Sequence, residues 1–127
     1  MQRNTLQRRA IRNAIDTLDR PLSPQEVHEA AQHEAPSLGL ATVYRTLNTG
    51  VEEGWLTAVS LPNEPMRYEP AGKGHHHHFY CESCGRVFEI EGCPGRLGML
   101  VPEGFEMTRH EVTLYGRCVE CRRHSSI

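Results

Sequence analysis

Two short cysteine pairs, Cys81-Glu82-Ser83-Cys84 and Cys118-Val119-Glu120-Cys121, constrain this chain more than any other feature. Each places two sulfurs on one tight turn. Together they supply the four thiolates that tetrahedral zinc takes at about 2.3 Å per sulfur, with no position left open for substrate. Such a closed site is structural, tying the strand that carries the first pair to the C-terminal end. Disulfides are the competing reading. Against them, the cysteine count of five is odd, and the first dozen residues are polar and arginine-rich with no apolar segment behind them, so a reducing cytoplasm is expected. A chain of 127 residues buries one core or two small ones, and small units gain most from a metal staple.

No apolar run approaches the roughly 20 residues of a membrane helix. With 24% charged and 38% apolar residues, a soluble globular chain with no membrane partner is expected. The net charge of -2 excludes a broadly basic nucleic-acid binder. Arg3, Arg8, Arg9, Arg12 and Arg20 outnumber Asp16 and Asp19 near the N-terminus, so any DNA contact must be local.

The first half carries helical periodicity. Leu6, Ala10, Ile11, Ala14, Ile15 and Leu18 recur at threes and fours from Thr5 to Leu18, predicting a helix with one buried stripe. Ser23-Pro24-Gln25-Glu26 starts a second helix with a capping box, turning Val27, Ala30 and Ala31 inward and ending before Pro36. In a third, Leu40, Val43, Leu47 and Val51 share the buried face, while Thr42, Tyr44, Arg45, Asn48 and Thr49 point outward. Gly54 stops it, and Gly50 weakens its interior by about 1 kcal/mol relative to Ala. Trp55-LTAVSL and Met66-Arg67-Tyr68 then read as two strands around Pro62-Asn63-Glu64-Pro65. Three helices and a hairpin form the winged helix-turn-helix pattern. The outward face of the third helix suits a major groove, unless it is simply solvated.

His75, His76, His77 and His78 run directly toward the first cysteine pair. In an extended segment alternate side chains face opposite ways, so His76 and His78 share one face and His75 and His77 the other. Each pair can chelate one metal, unless the run is a solvated loop. Further donors are Glu69, Glu89 and Glu91, Cys93, and His110, which alternation along Arg109-HEVTLYG places with Val112 and Leu114. Mixed nitrogen and oxygen ligands suit zinc, iron(II) or manganese(II), and a cysteine favours zinc.

Thr5-LQRRAI, Leu40-ATVYRTL, Tyr68-Glu69, His75-HHHFYCESCG, His110-EVTLYG and Cys118-VEC, in that order, resemble the ferric uptake regulator family of bacterial metal-dependent transcription factors across nearly the whole chain. The resemblance implies an α+β homodimer: a winged-helix DNA-binding domain over residues 1–70, then a small α/β dimerisation domain over 71–127 with a four-cysteine zinc site. It implies that metal closes the two DNA-binding domains onto a palindromic operator, repressing uptake or defence genes. Tyr44 matches a base-contacting tyrosine and Arg45 a phosphate-contacting arginine, with Thr42 on the same helix and Arg8 in the basic N-terminal helix as further DNA contacts. Cys81, Cys84, Cys118 and Cys121 match the structural zinc site. Glu69, His76 and His78 match the sensory site, with Glu89 where some members place a further ligand. His75, His77 and His110 match an additional site in the dimerisation domain.

Three departures stand out. Pro21 occupies a position where iron- and peroxide-sensing members often carry a ligand histidine, leaving His28 or His33 as substitutes and weakening a peroxide-sensing role. The segment between Cys84 and His110 is short and offers Cys93 or Glu91 where an acidic ligand is usual. The N-terminal leader is reduced to Met1-Gln2-Arg3-Asn4. Cys93 and the missing histidine favour regulatory zinc over iron(II) or manganese(II); the Tyr44-Arg45 helix, in a first half without a substrate-pocket motif, favours a metal-homeostasis repressor over an enzyme. The alternatives from another class are a zinc hydrolase using His76, His78 and Glu89, and a metal-storage protein without any DNA response.

Overall fold

Ser23 shows how local chemistry sets the helix boundaries. Its hydroxyl accepts the Glu26 N–H, the Glu26 carboxylate accepts the Ser23 N–H at 2.9 Å, and Pro24 opens the helix, so the capping box is complete. The computed structural model describes residues 2–93 and 95–123, the side chains of residues 2–4 excepted, so the Arg3 side chain lies outside the described residues. The chain divides into two compact units at Lys73 and Gly74.

The first unit comprises α1 (Gln2–Leu18), α2 (Pro24–Ala31), α3 (Leu40–Glu53), β1 (Leu56–Val59) and β2 (Arg67–Pro70). The two strands pair antiparallel, Thr57 opposite Glu69 and Ala58 opposite Tyr68. Leu22 and Tyr68 exchange backbone hydrogen bonds of 2.9 and 2.8 Å, joining the α1–α2 loop to β2. The core is formed by Ala10, Ile11, Ala14, Ile15, Leu22, Val27, Val43, Leu47, Leu56 and their neighbours, with Ala30 and Trp55 packed at its edge.

Helix ends depart from the expected stripes. Leu6 and Leu18 on α1, and Leu40 and Val51 on α3, are exposed rather than buried, because the first and last turns of each helix extend past the neighbours that cover its centre. α1 also starts at Gln2, three residues before the periodic segment. On α3 the buried place after Leu47 belongs to Gly50: a Cβ there would lie 2.6 Å from Leu56 Cδ1 and 3.0 Å from Trp55 Cε2. Glycine is therefore what lets β1 turn back against the helix. Gly54 caps α3 in the left-handed region at φ 89°.

The second unit contains β3 (His77–Cys81), β4 (Val87–Ile90), β5 (Thr113–Gly116), α4 (Val119–Arg123) and a 3-10 turn at Leu97–Leu100. β3 is central, antiparallel to β4 and parallel to β5. β5 starts only at Thr113, so His110 precedes the strand rather than sharing its alternation. Among the described residues of this unit, Cys81 and Val87 are the buried apolar side chains, a small core for three strands.

Candidate metal centres and helix surface

Strand β3 delivers donors to three places. At its end, Cys81 enters a turn closed by Gly85, at φ 77°, whose N–H donates to the Cys81 carbonyl at 2.8 Å. Cys84 lies on that turn, Cys118 immediately precedes α4 and Cys121 lies within it. Sγ of Cys81 and Cys121 are 3.6 Å apart, and those of Cys84 and Cys118 are 3.9 Å apart. A regular tetrahedron with sulfurs about 2.3 Å from its centre has edges of about 3.8 Å. The four donors thus have the spacing of a zinc site and all lie within 4.8 Å of one another. All five cysteines are free, and the sulfur separations of both pairs are longer than a disulfide bond.

The sulfurs are electrostatically unequal. Burial pushes the Cys81 thiol up, but backbone N–H groups of Cys84, Cys118 and Ser83 outweigh it and bring it down to about 6. Cys121 is pushed up to about 12 by burial and by the sulfurs beside it, and burial raises Cys84 as well. One thiolate forms readily at Cys81, while Cys84 and Cys121 resist a further negative charge. A divalent cation supplies what that donor set needs, so the residues fit zinc.

The histidines divide between two sides, His77 and His78 on β3 and His75 and His76 in the two residues before it. On one side the His76 and His78 rings stack edge to face at 4.9 Å between centroids. Glu89 on β4 lies directly opposite His78, with its carboxylate 3.8 Å from His76 Nε2. On the other side, His75 Nε2 is 3.1 Å from His110 Nε2, and His110 Nε2 is 3.1 Å from Cys93 Sγ. His77 joins them, its ring 4.5 Å from that of His75 and 5.1 Å from that of His110. The donor atoms of His75, His77, Cys93 and His110 lie within 4.8 Å of one another. Cys93, not Glu91, is the fourth member of that group. His77 is 3% exposed and its Nδ1 accepts the Val112 N–H at 3.1 Å. Burial and the surrounding imidazoles of His75 and His110 hold it below the ordinary histidine range, hence neutral.

In the first unit, Glu69 sits on β2 with 1% exposure. Of the substitutes considered for the missing histidine, His28 is occupied: its Nε2 is 2.8 Å from the Leu38 carbonyl. His33 is exposed on the surface, and Pro21 is buried in the core. The outward face of α3 presents Thr42, Tyr44, Arg45, Asn48 and Thr49, with Arg45 donating to Thr42 Oγ1 at 3.0 Å and Tyr44 40% exposed. Beside it, Arg8, Arg45, Thr46, Thr49, Glu53 and Trp55 line an open hollow of about 310 Å³. Trp55 donates to Glu53 at 3.1 Å and carries the Arg12 guanidinium 4.4 Å above its ring. Thr46 and Trp55 were not expected at this surface. Periodicity assigns residues to faces of one helix and cannot see a partner brought by the next strand.

Fold and site together define a two-unit α+β chain with one four-cysteine donor set and two histidine-bearing ones, the build of a metalloregulator. The sequence model of the ferric uptake regulator family matches residues 2–115, and the chain belongs to that family of metal-binding transcription regulators. It is 32% identical over 127 residues to the ferric uptake regulation protein of Campylobacter jejuni, covering 96% of this chain and 81% of the relative. It is 32% identical over 123 residues to the zinc uptake regulation protein of Mycobacterium tuberculosis, covering 94% and 95%. The solved Helicobacter pylori ferric uptake regulator, described as having three functional metal-binding sites, superposes with a TM-score of 0.71 at 26% identity, covering 94% of this chain and 82% of that one. The described helices include none long and apolar enough to cross a membrane.

Proposed function

We propose that this chain is a cytoplasmic, homodimeric, metal-responsive repressor that binds palindromic operator DNA through α3 and controls metal uptake, with zinc as the sensed ion. The observation that carries the DNA reading is the exposed polar face of α3, where Tyr44 and Arg45 stand clear of the core beside the Arg8-lined hollow. In the winged helix-turn-helix reading of the first unit, Thr42 and Tyr44 meet base edges and thymine methyls, while Arg45 and Arg8 neutralise phosphates.

The regulatory ion takes Glu69 from the first unit and His76, His78 and Glu89 from the second. The registry that sets Glu89 opposite His78 supports the share of this set that the second unit supplies. Binding across the junction favours the closed dimer, so metal and operator affinities are linked by the usual 1–3 kcal/mol or so of coupling. Cys81, Cys84, Cys118 and Cys121 hold a structural zinc and take no part in sensing. Exposed Met99, Leu100, Phe105, Leu114, Tyr115 and Val119 supply the apolar surface that a second copy buries.

Zinc is favoured over iron(II) and manganese(II) by Cys93 in the second unit and by Pro21, which stands where iron- and peroxide-sensing members often carry a ligand histidine. The test is a gel-shift titration, on operator DNA selected from a random pool, against buffered free zinc, iron(II) and manganese(II). Affinity should rise about 5- to 150-fold with zinc. His76→Ala with His78→Ala should abolish that response and leave a folded dimer. Equal affinity with and without metal refutes the reading.

A further inference from the structure

Beyond the structural zinc and the sensory ion, the cluster of His75, His77, Cys93 and His110 has a chemistry of its own. Its four donors come from three separate segments: the start of β3, the loop after β4 and the approach to β5. His77 is the most informative member. Its Nδ1 accepts the Val112 N–H, while its buried Nε2 has no hydrogen-bond partner among the described residues. A cation bound at Nε2 satisfies that atom while the ring stays neutral, its one proton moving to Nδ1 and the Val112 N–H giving up its contact there. The two 3.1 Å contacts at His110 Nε2 are a few tenths of an ångström below the edges, about 3.3–3.6 Å, of a tetrahedron with three nitrogens and one sulfur around zinc. Three imidazoles and a thiolate favour zinc over manganese(II) or iron(II).

Cys93 differs from its three partners in being the group that a two-electron oxidant attacks. It is exposed, on a loop outside the sheet, whereas His77 is buried. It is also the cluster's single anionic ligand, so its loss leaves three neutral imidazoles. We propose that Cys93 is the fourth ligand of a zinc ion held by His75, His77 and His110, and that its oxidation by a hydroperoxide empties this site. The Cys93 sulfur attacks one peroxide oxygen, the O–O bond breaks, and hydroxide or alkoxide leaves with the bonding pair. Sulfur gives up two electrons and becomes a sulfenic acid, the hydroperoxide is reduced, and Zn²⁺ is released. A low-molecular-weight thiol then converts the sulfenic acid to a mixed disulfide and water, and a second thiol restores Cys93.

The experiment uses the full chain loaded with zinc and titrated with hydrogen peroxide. Released zinc is followed with a chromogenic chelator, and sulfenic acid is trapped with dimedone and located by peptide mass. One zinc per chain should leave in step with dimedone labelling of Cys93 and rebind after thiol reduction. Cys93→Asp, which keeps an anionic donor without the sulfur, should still load the site and should not release that zinc in step with peroxide. Cys93→Ser should bind it on the order of 10–100-fold more weakly. The proposal is overturned if Cys93→Asp loses zinc as the parent does, if Cys93 is labelled without zinc leaving, or if Cys93→Ser binds as many zinc ions as tightly as the parent. No readout involves DNA, so this result is independent of whether the chain proves to be an operator-binding repressor.

Discussion

Removal of metal from the four-cysteine set should unfold the second unit and leave the first one standing. A fully buried apolar side chain stabilises by about 1.5–3 kcal/mol, so Val87 and Cys81, the buried apolar pair among the described residues of that unit, supply about 3–6 kcal/mol before any ordering entropy is counted. Structural zinc in small domains supplies about 10–16 kcal/mol at neutral pH. The metal term is therefore the larger one, whereas the first unit has its own core from Ala10 to Tyr68. The perturbation is Cys81→Ser, chosen because the Cys84 and Cys118 N–H groups both converge on that sulfur. Hydrogen exchange read by peptide mass should show residues 74–123 exchanging at near-intrinsic rates in the zinc-free variant, and α1 to α3 still protected. Continued protection of β3 and β5 in protein confirmed zinc-free by elemental analysis would refute the reasoning.

Further predictions concern the first unit. Gly50→Ala gains about 1 kcal/mol of helix propensity but forces a Cβ to 2.6 Å from buried Leu56, an overpacking that costs about 1–3 kcal/mol, so a net loss of about 1 kcal/mol and a lower thermal midpoint are expected; a higher midpoint contradicts this account. Glu26→Ala removes a carboxylate that accepts from the Ser23 N–H, Arg20 at 3.0 Å and Arg67 at 2.8 Å, and should cost about 2–4 kcal/mol in denaturant titration. Burial raises the Glu26 carboxyl, but the Ser23 N–H and the two guanidiniums outweigh it and hold it below its ordinary value of 4.5. Because the folded value lies below the unfolded one, this stability is present above pH 4.5 or so, and is lost as pH falls through the folded value. Glu26→Gln should flatten that acid limb. Arg45→Ala should weaken DNA binding about equally across sequences and reduce the salt slope by about 1, whereas Tyr44→Ala should relax sequence preference, both read by fluorescence anisotropy.

Local rules were legible from sequence wherever a periodicity or a cap acts within a few residues. The Ser23 box, the Gly54 stop, the pairing of His76 with His78 and of His75 with His77, and the two cysteine knuckles all follow from spacing alone, because backbone geometry dictates which neighbours share a face. The α+β class followed in the same way. Helix ends were read less well: Leu6, Leu18, Leu40 and Val51 keep the stripe's periodicity, yet burial depends on how far a neighbouring element reaches along the helix.

Tertiary structure decided the rest. Gly50 looks like a weak point in a helix until Leu56 and Trp55 are packed against it. The hollow beside α3 needs Trp55 from the segment after the helix and Arg8 from α1. Cys93 and His110 lie far from the histidine run in sequence, and no period connects them; loop closure sets Cys93, rather than Glu91, against His110. Sequence determines what each segment can present on each face. Which faces meet is settled only when strands and loops distant along the chain pack, since that choice depends on the burial and hydrogen bonding of the whole unit.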